Sequence, residues 1–132
     1  MKPNDEEQIR GLLARYQRAL NASSVEEALA LYAPDGVFMP QHSPSSVGLE
    51  AVRAAYAKVF EAIKLTVEFA IAEVRVLAPD WALARTNSAG TTLDHATGLT
   101  RPEANQELFL FQKVGADWKI ARYCFCTTNP PR

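Results

Sequence analysis

Glu107-Leu-Phe-Leu-Phe-Gln-Lys-Val-Gly-Ala-Asp-Trp118-Lys-Ile-Ala-Arg-Tyr-Cys-Phe-Cys126 is the stretch whose reading decides the fold. Two runs rich in aromatic and branched residues flank a short loop carrying Gly115 and Asp117, the pattern of an antiparallel hairpin. An ionisable residue, Glu107, sits among apolar neighbours, and Arg122 sits among aromatics in the partner run. The same hairpin therefore supplies core and candidate chemistry.

Working outward, the segment before the hairpin is also extended. Leu65, Val67, Phe69 and Ile71 alternate with Thr66, Glu68, Ala70 and Ala72, continuing through Val74 and Val76. Pro79-Asp80 turns the chain, a second long strand runs from about Trp81 to Thr92, and Asp94-His-Ala-Thr-Gly loops to a third that ends near Lys113. The N-terminal half has the helical period instead. Ile9, Leu12, Leu13, Tyr16, Ala19 and Leu20 form one stripe behind a cap at Asn4 or Asp5. Ser24 and Glu27 open a second, shorter helix through Val25, Ala28, Leu29 and Tyr32. Pro34-Asp-Gly reads as a stop and turn, Val37-Phe-Met as a short strand ended by Pro40, and Gln41-His-Ser-Pro-Ser-Ser as a polar loop with the look of a flap. From about Leu49, the stripe Val52, Tyr56, Val59, Phe60, Ile63 marks a third helix. The order ααβαββββ predicts an α+β fold, a single domain over residues 1–132, in which a curved antiparallel sheet wraps three N-terminal helices into a cone with a blind pocket. Residues 128–132 read as a disordered tail.

Composition narrows the function classes. With 132 residues, 14 basic and 15 acidic side chains and a formal net charge of −1, the chain offers no field to hold a nucleic-acid backbone or an anionic membrane. No apolar run reaches membrane-spanning length, and the first residues lack the apolar core of a signal peptide, so a cytoplasmic protein is expected. Cys124 and Cys126 read as free thiols in small buried strand positions, in keeping with a reducing compartment. Two cysteines without clustered histidines predict no metal site, and the absence of a phosphate loop or dinucleotide fingerprint predicts no cofactor.

The pieces Arg15-Tyr-Gln-Arg-Ala-Leu-Asn-Ala, Ala30-Leu-Tyr-Ala-Pro-Asp-Gly-Val-Phe, Gly48-Leu-Glu-Ala-Val-Arg-Ala-Ala-Tyr and Trp118-Lys-Ile-Ala-Arg-Tyr, in this order and spacing, resemble the nuclear transport factor 2-like superfamily, with its ketosteroid isomerases and SnoaL-like cyclases. Pro102-Glu-Ala-Asn-Gln-Glu-Leu-Phe, together with Trp118-Lys-Ile-Ala-Arg-Tyr, is similar to small proteins of enediyne antibiotic clusters that carry an oxidoreductase label. The resemblance implies a cone with a pocket at its wide end and a homodimer packed through the outer sheet face. In activity it implies an isomerase, cyclase or dehydratase, a non-catalytic metabolite carrier, or an interaction module.

Residue by residue, the resemblance puts Tyr16 and Glu107 at the positions of the isomerase's two oxyanion donors. Pro40 falls where the isomerase has its aspartate base, leaving His42 as the nearest candidate base. It also turns Arg85 and Asn87 inward, with Met39, Tyr56, Tyr123 and Phe125 completing the ligand-contacting wall. Each has a plainer alternative. Glu107 with Arg85 would make a structural ion pair, Tyr16 a core tyrosine bonded to a neighbour, and His42 a loop histidine.

Overall fold

The computed structural model describes residues 4–130. Its elements follow the expected order: α1 (Asp5–Asn21), α2 (Val25–Leu29), β1 (Tyr32–Met39), β2 (Ser46–Val47), α3 (Leu49–Ala62), β3 (Ile63–Ala78), β4 (Trp81–Asp94), β5 (Thr100–Val114) and β6 (Asp117–Thr127). The strands form one curved, open sheet in the order β2-β1-β6-β5-β4-β3. All its pairs are antiparallel except β1 with β6, which is parallel.

Local signals place the helices. Asn4 Oδ1 accepts from the Glu7 amide at 2.8 Å and Ser24 Oγ accepts from the Glu27 amide at 3.2 Å, so both predicted caps are made. The stripe of α1 buries the six residues read from its period, and α3 buries Val52, Tyr56 and Phe60. Two departures concern β1. Tyr32 begins the strand rather than ending α2, and Pro34-Asp-Gly lies within the strand as an irregularity between Tyr32 and Val37 rather than as a stop. The expected polar loop also contains the two-residue strand β2.

Edge strand β3 is covered by α1. The Val67 amide donates to Asn21 Oδ1 at 2.8 Å, Asn21 Nδ2 donates to the Val67 carbonyl at 2.9 Å, and the Phe69 amide donates to Gln17 Oε1 at 2.8 Å. Side-chain amides thus stand in for a seventh strand and satisfy backbone groups that an edge would leave open. A bulge between Ile71 and Glu73 explains why the inward residues of β3 change from odd to even numbers. Beyond it, Glu73 lies opposite Arg85 on the outer face. Gly90 is required where β4 meets β3, since a Cβ there would lie 1.9 Å from the Thr66 carbonyl oxygen.

Aromatic rings pack between sheet and helices at the closed end of the fold's interior, around Phe109. Phe109, 0% exposed, stacks on Tyr123 at 4.2 Å between centroids and on Phe111 at 5.7 Å, and meets Tyr16 edge-on at 5.6 Å. Of the tail read as disordered, Thr128 donates its amide to the Ala104 carbonyl at 3.0 Å and Asn129 Nδ2 bonds the Pro102 carbonyl, so these residues are tied to β5. Residues 131 and 132 of that tail lie outside the described residues.

Candidate functional site

A cavity of about 740 Å³ opens between α1, α3 and the inner sheet face, within the size range of small-molecule sites. One wall is aromatic, made of Phe38, Tyr123, Phe125 and Phe69, and Phe38 lies parallel to Tyr123 at 5.7 Å. The opposite wall is helical, with Tyr16, Leu20, Tyr56 and Val59. Pro40, Gln41 and Ser43–Ser46 lie at the rim, so the loop read as a flap does border the cavity.

Glu107 is the one 95%-buried carboxyl of this cavity, at 5% exposure. Thr86 Oγ1 donates to its Oε1 at 2.6 Å and Ser88 Oγ donates to its Oε2 at 2.6 Å. Bonds this short from hydroxyls suit an ionised acceptor, and a carboxylate has further lone pairs left for a ligand. Burial raises the carboxyl above its ordinary value of 4.5, the two hydroxyls pull it back, and Glu103 adds to the rise. The result is a carboxyl more basic than a surface glutamate.

Tyr16, Tyr56 and Tyr32 form a buried hydroxyl chain, 2.5 Å from Tyr16 to Tyr56 and 2.7 Å from Tyr56 to Tyr32. Run in the direction Tyr32 to Tyr56 to Tyr16, each hydroxyl donates to the next and the Tyr16 proton is left for a ligand oxygen. Burial is the first cause that raises Tyr16, Tyr32, Tyr56 and Tyr123 above the ordinary phenol value. All four stay protonated donors at neutral pH.

The structure brings Tyr16, Tyr56, Glu107, Tyr123 and Phe125 together and leaves four expected residues outside. Arg85 is not the partner of Glu107. Its Nε pairs with Glu73 on the outer face, because in β4 the inward positions are Ala82, Ala84, Thr86 and Ser88. Asn87, two residues on, is exposed on that same face. Met39 is 42% exposed, since Phe38 takes the inward place in β1. His42 is exposed at φ 63° and does not border the cavity. Cys124 is half-buried and Cys126 exposed, so the second thiol is not the buried residue expected. The bulge in β6, between the pairs Leu110–Arg122 and Phe111–Ile120, lies before Tyr123 and leaves Tyr123 and Phe125 facing the cavity.

Phe38, Ser88, Asn105 and Glu103 are cavity residues that sequence reading missed. The register Leu93↔Thr100, counted back along the two strands, sets Thr86 opposite Glu107 and Ser88 opposite Asn105. The loop at Asp94–Gly98 held the signal. Among the described residues no group of three or more His, Cys, Asp or Glu is disposed to hold a metal ion, and no helix is long and apolar enough to cross a membrane.

A helix-backed open sheet around one deep cavity defines the nuclear transport factor 2-like class of α+β proteins. Within it, the chain belongs to the SnoaL-like domain family, which matches residues 2–123. A ketosteroid isomerase-like protein from Erwinia carotovora atroseptica SCRI1043 is similar at 35% identity, covering 97% of this chain and 100% of its own, with a TM-score of 0.92. An NTF2-like protein with a cystatin-like fold from Novosphingobium aromaticivorans shares 20% identity over 96% of this chain and 84% of its own, with a TM-score of 0.75. A candidate scytalone dehydratase from Novosphingobium aromaticivorans DSM 12444 shares 16% identity over 95% and 85%, with a TM-score of 0.83. These last two likenesses are of fold. No functionally curated protein matches the chain.

Proposed function

We propose that this protein is a cofactor-independent acid–base enzyme of the isomerase, cyclase or dehydratase type, acting on a carbonyl-bearing, polyketide-like metabolite. The observation that carries the reading is the buried Glu107 carboxyl in a mostly apolar cavity shared with the Tyr16 hydroxyl. In the step proposed, Tyr16 donates a hydrogen bond to the ligand carbonyl oxygen. Glu107 takes the proton from the adjacent carbon, the C–H electron pair forms the enolate, and Glu107 returns the proton to carbon or to a leaving hydroxyl. Pro40 supplies no base, and His42 stands outside the cavity, so the carboxyl carries both proton transfers. The resemblance to enediyne-cluster proteins supports a polyketide-derived ligand, and two free thiols suit a cytoplasmic location.

The test is exchange of α-protons into D₂O, followed by NMR, for a panel of bicyclic and tricyclic aromatic ketones. Exchange above the buffer rate is expected for at least one member. Buffer-rate exchange across the panel, with ketones that demonstrably bind, would favour the second reading, a carrier that holds the metabolite unchanged. The missing base at position 40 is the observation behind that alternative.

We also propose a homodimer through the outer sheet face. Leu108 is 47% exposed and Met39 42%, and the register β4–β5–β6–β1 sets Arg85, Leu108, Cys124 and Met39 in one cross-strand row. Exposed apolar side chains such as Leu108 and Met39, in a row that a charged residue borders, are what a second copy would cover. Light scattering is expected to give twice the monomer mass for the native chain and the monomer mass for Leu108→Lys. A monomeric native chain would end the proposal.

A further inference from the structure

Residues two apart in a strand share a face, and in β5 Glu103, Asn105 and Glu107 all line the cavity. Their partners differ. Each oxygen of Glu107 already accepts one bond, from Thr86 or from Ser88, whereas among the described residues no hydrogen bond or ion pair engages the side chain of Asn105 or of Glu103. Asn105 is 9% exposed and Glu103 half-buried. A polar amide and a carboxylate that face a cavity without a protein partner are groups whose desolvation a ligand must offset.

The surrounding charge says which ligand. Of the cavity residues, Lys58 on α3 is the only cation, and it is exposed and pairs with neither carboxylate. Arg85 and Arg75 are committed to Glu73 on the outer face. The cavity thus holds two carboxylates against one exposed lysine. An anionic ligand would meet like charge at both ends of the β5 row.

We propose that the ligand is a protonated aromatic amine, its rings against Phe38, Tyr123 and Phe125, and its ammonium received by the Glu103 carboxylate and the Asn105 side-chain carbonyl. The aromatic wall adds to this preference, because ring faces attract cations. Four residues of strand separate Glu103 from Glu107, about 13 Å at ~3.3 Å per residue. Two or three fused rings, together with the substituents and the hydrogen bonds at each end, span that distance, with the amine at the Glu103 end and the reacting carbonyl at the Tyr16–Glu107 end. The inference rests on the same cavity as the acid–base reading and names the substrate class for it.

Isothermal titration at pH 7 with 2-naphthylmethylamine, 2-naphthylmethanol and 2-naphthoate tests it. The amine is expected to bind at least tenfold more tightly than the alcohol, with the carboxylate weakest. Glu103→Gln and Asn105→Leu, each checked for its melting transition, are expected to remove the amine's advantage while the alcohol keeps its affinity. Carboxylate binding equal to that of the amine, an amine preference unchanged in both variants, or no binding by any of the three would overturn it. Because no turnover is read, loss of α-proton exchange would leave an observed amine preference standing, and loss of the preference would leave an observed exchange standing.

Discussion

Glu107→Gln is expected to slow α-proton exchange of a bound ketone by roughly 10²–10⁴-fold, the range assigned to a positioned proton-transfer group, with the fold intact. The amide keeps the shape of the carboxyl and can still bond the Thr86 and Ser88 hydroxyls, which turn freely to accept or donate. Tyr16→Phe, measured in the same assay, should cost less, because it removes one hydrogen bond to the developing oxyanion and leaves the proton-transfer group in place. Stability should move the other way. Burial raises the folded-state value of Glu107 above 4.5, so the folded protein holds this proton more tightly than the unfolded chain. As pH rises from about 4.5 through the folded value, the unfolded state loses its proton first and this site's contribution to stability falls. At pH 7 the neutral glutamine is therefore expected to melt at or above the native temperature. The rate has the opposite pH dependence: the base is active when ionised, so kcat/KM should fall as pH drops through a value above 4.5. A Glu107→Gln protein with native exchange rates would remove the carboxyl from the chemistry.

Phe109→Ala is expected to cost about 3–5 kcal/mol, the usual range for emptying a buried phenylalanine site. Phe109 is 0% exposed and meets Tyr16, Phe69, Phe111 and Tyr123. It links the helix wall to the aromatic wall. Domains of this kind are stable by roughly 5–15 kcal/mol, so the loss would be a large share of the whole. Urea unfolding checks it, with a lower midpoint at unchanged slope as the expected result. A loss below about 1 kcal/mol, small for a core phenylalanine, would mean that the rings close over the vacancy and that the core is not organised around this side chain.

The contrast between α1 and β4 explains how much was legible. In α1 the stripe Ile9 to Leu20 declares its own inner face, because a helix with one apolar stripe has only one way to bury it. The hairpin at Gly115 and the strand alternation were likewise local patterns. In β4, by contrast, the alternation Trp81, Leu83, Arg85, Asn87 against Ala82, Ala84, Thr86, Ser88 gives two faces of similar polarity, and the larger residues are the outward ones. Which set faces inward is fixed by register with β5, a non-local fact. Small inward residues also fit the geometry, since Ala82 and Ala84 are 0% exposed beneath the packed helices. From that single inversion followed the misplacement of Arg85 and Asn87 and the oversight of Ser88. Met39 failed in a similar way in β1, where Phe38 takes the inward place and Met39, its neighbour, faces out. Tyr16 and Glu107 were legible through resemblance, whereas the Tyr32–Tyr56–Tyr16 chain needed three elements to meet.

The most direct measurement is a carbon-detected NMR titration of the Glu107 side-chain carboxyl, identified by its loss in Glu107→Gln. The account predicts a single midpoint above the ordinary glutamate value of 4.5, shifted further when an aromatic ketone is bound. A midpoint at or below 4.5 would contradict it, because a carboxyl that gives up its proton so readily would be a structural acceptor for Thr86 and Ser88 and not a base poised for transfer.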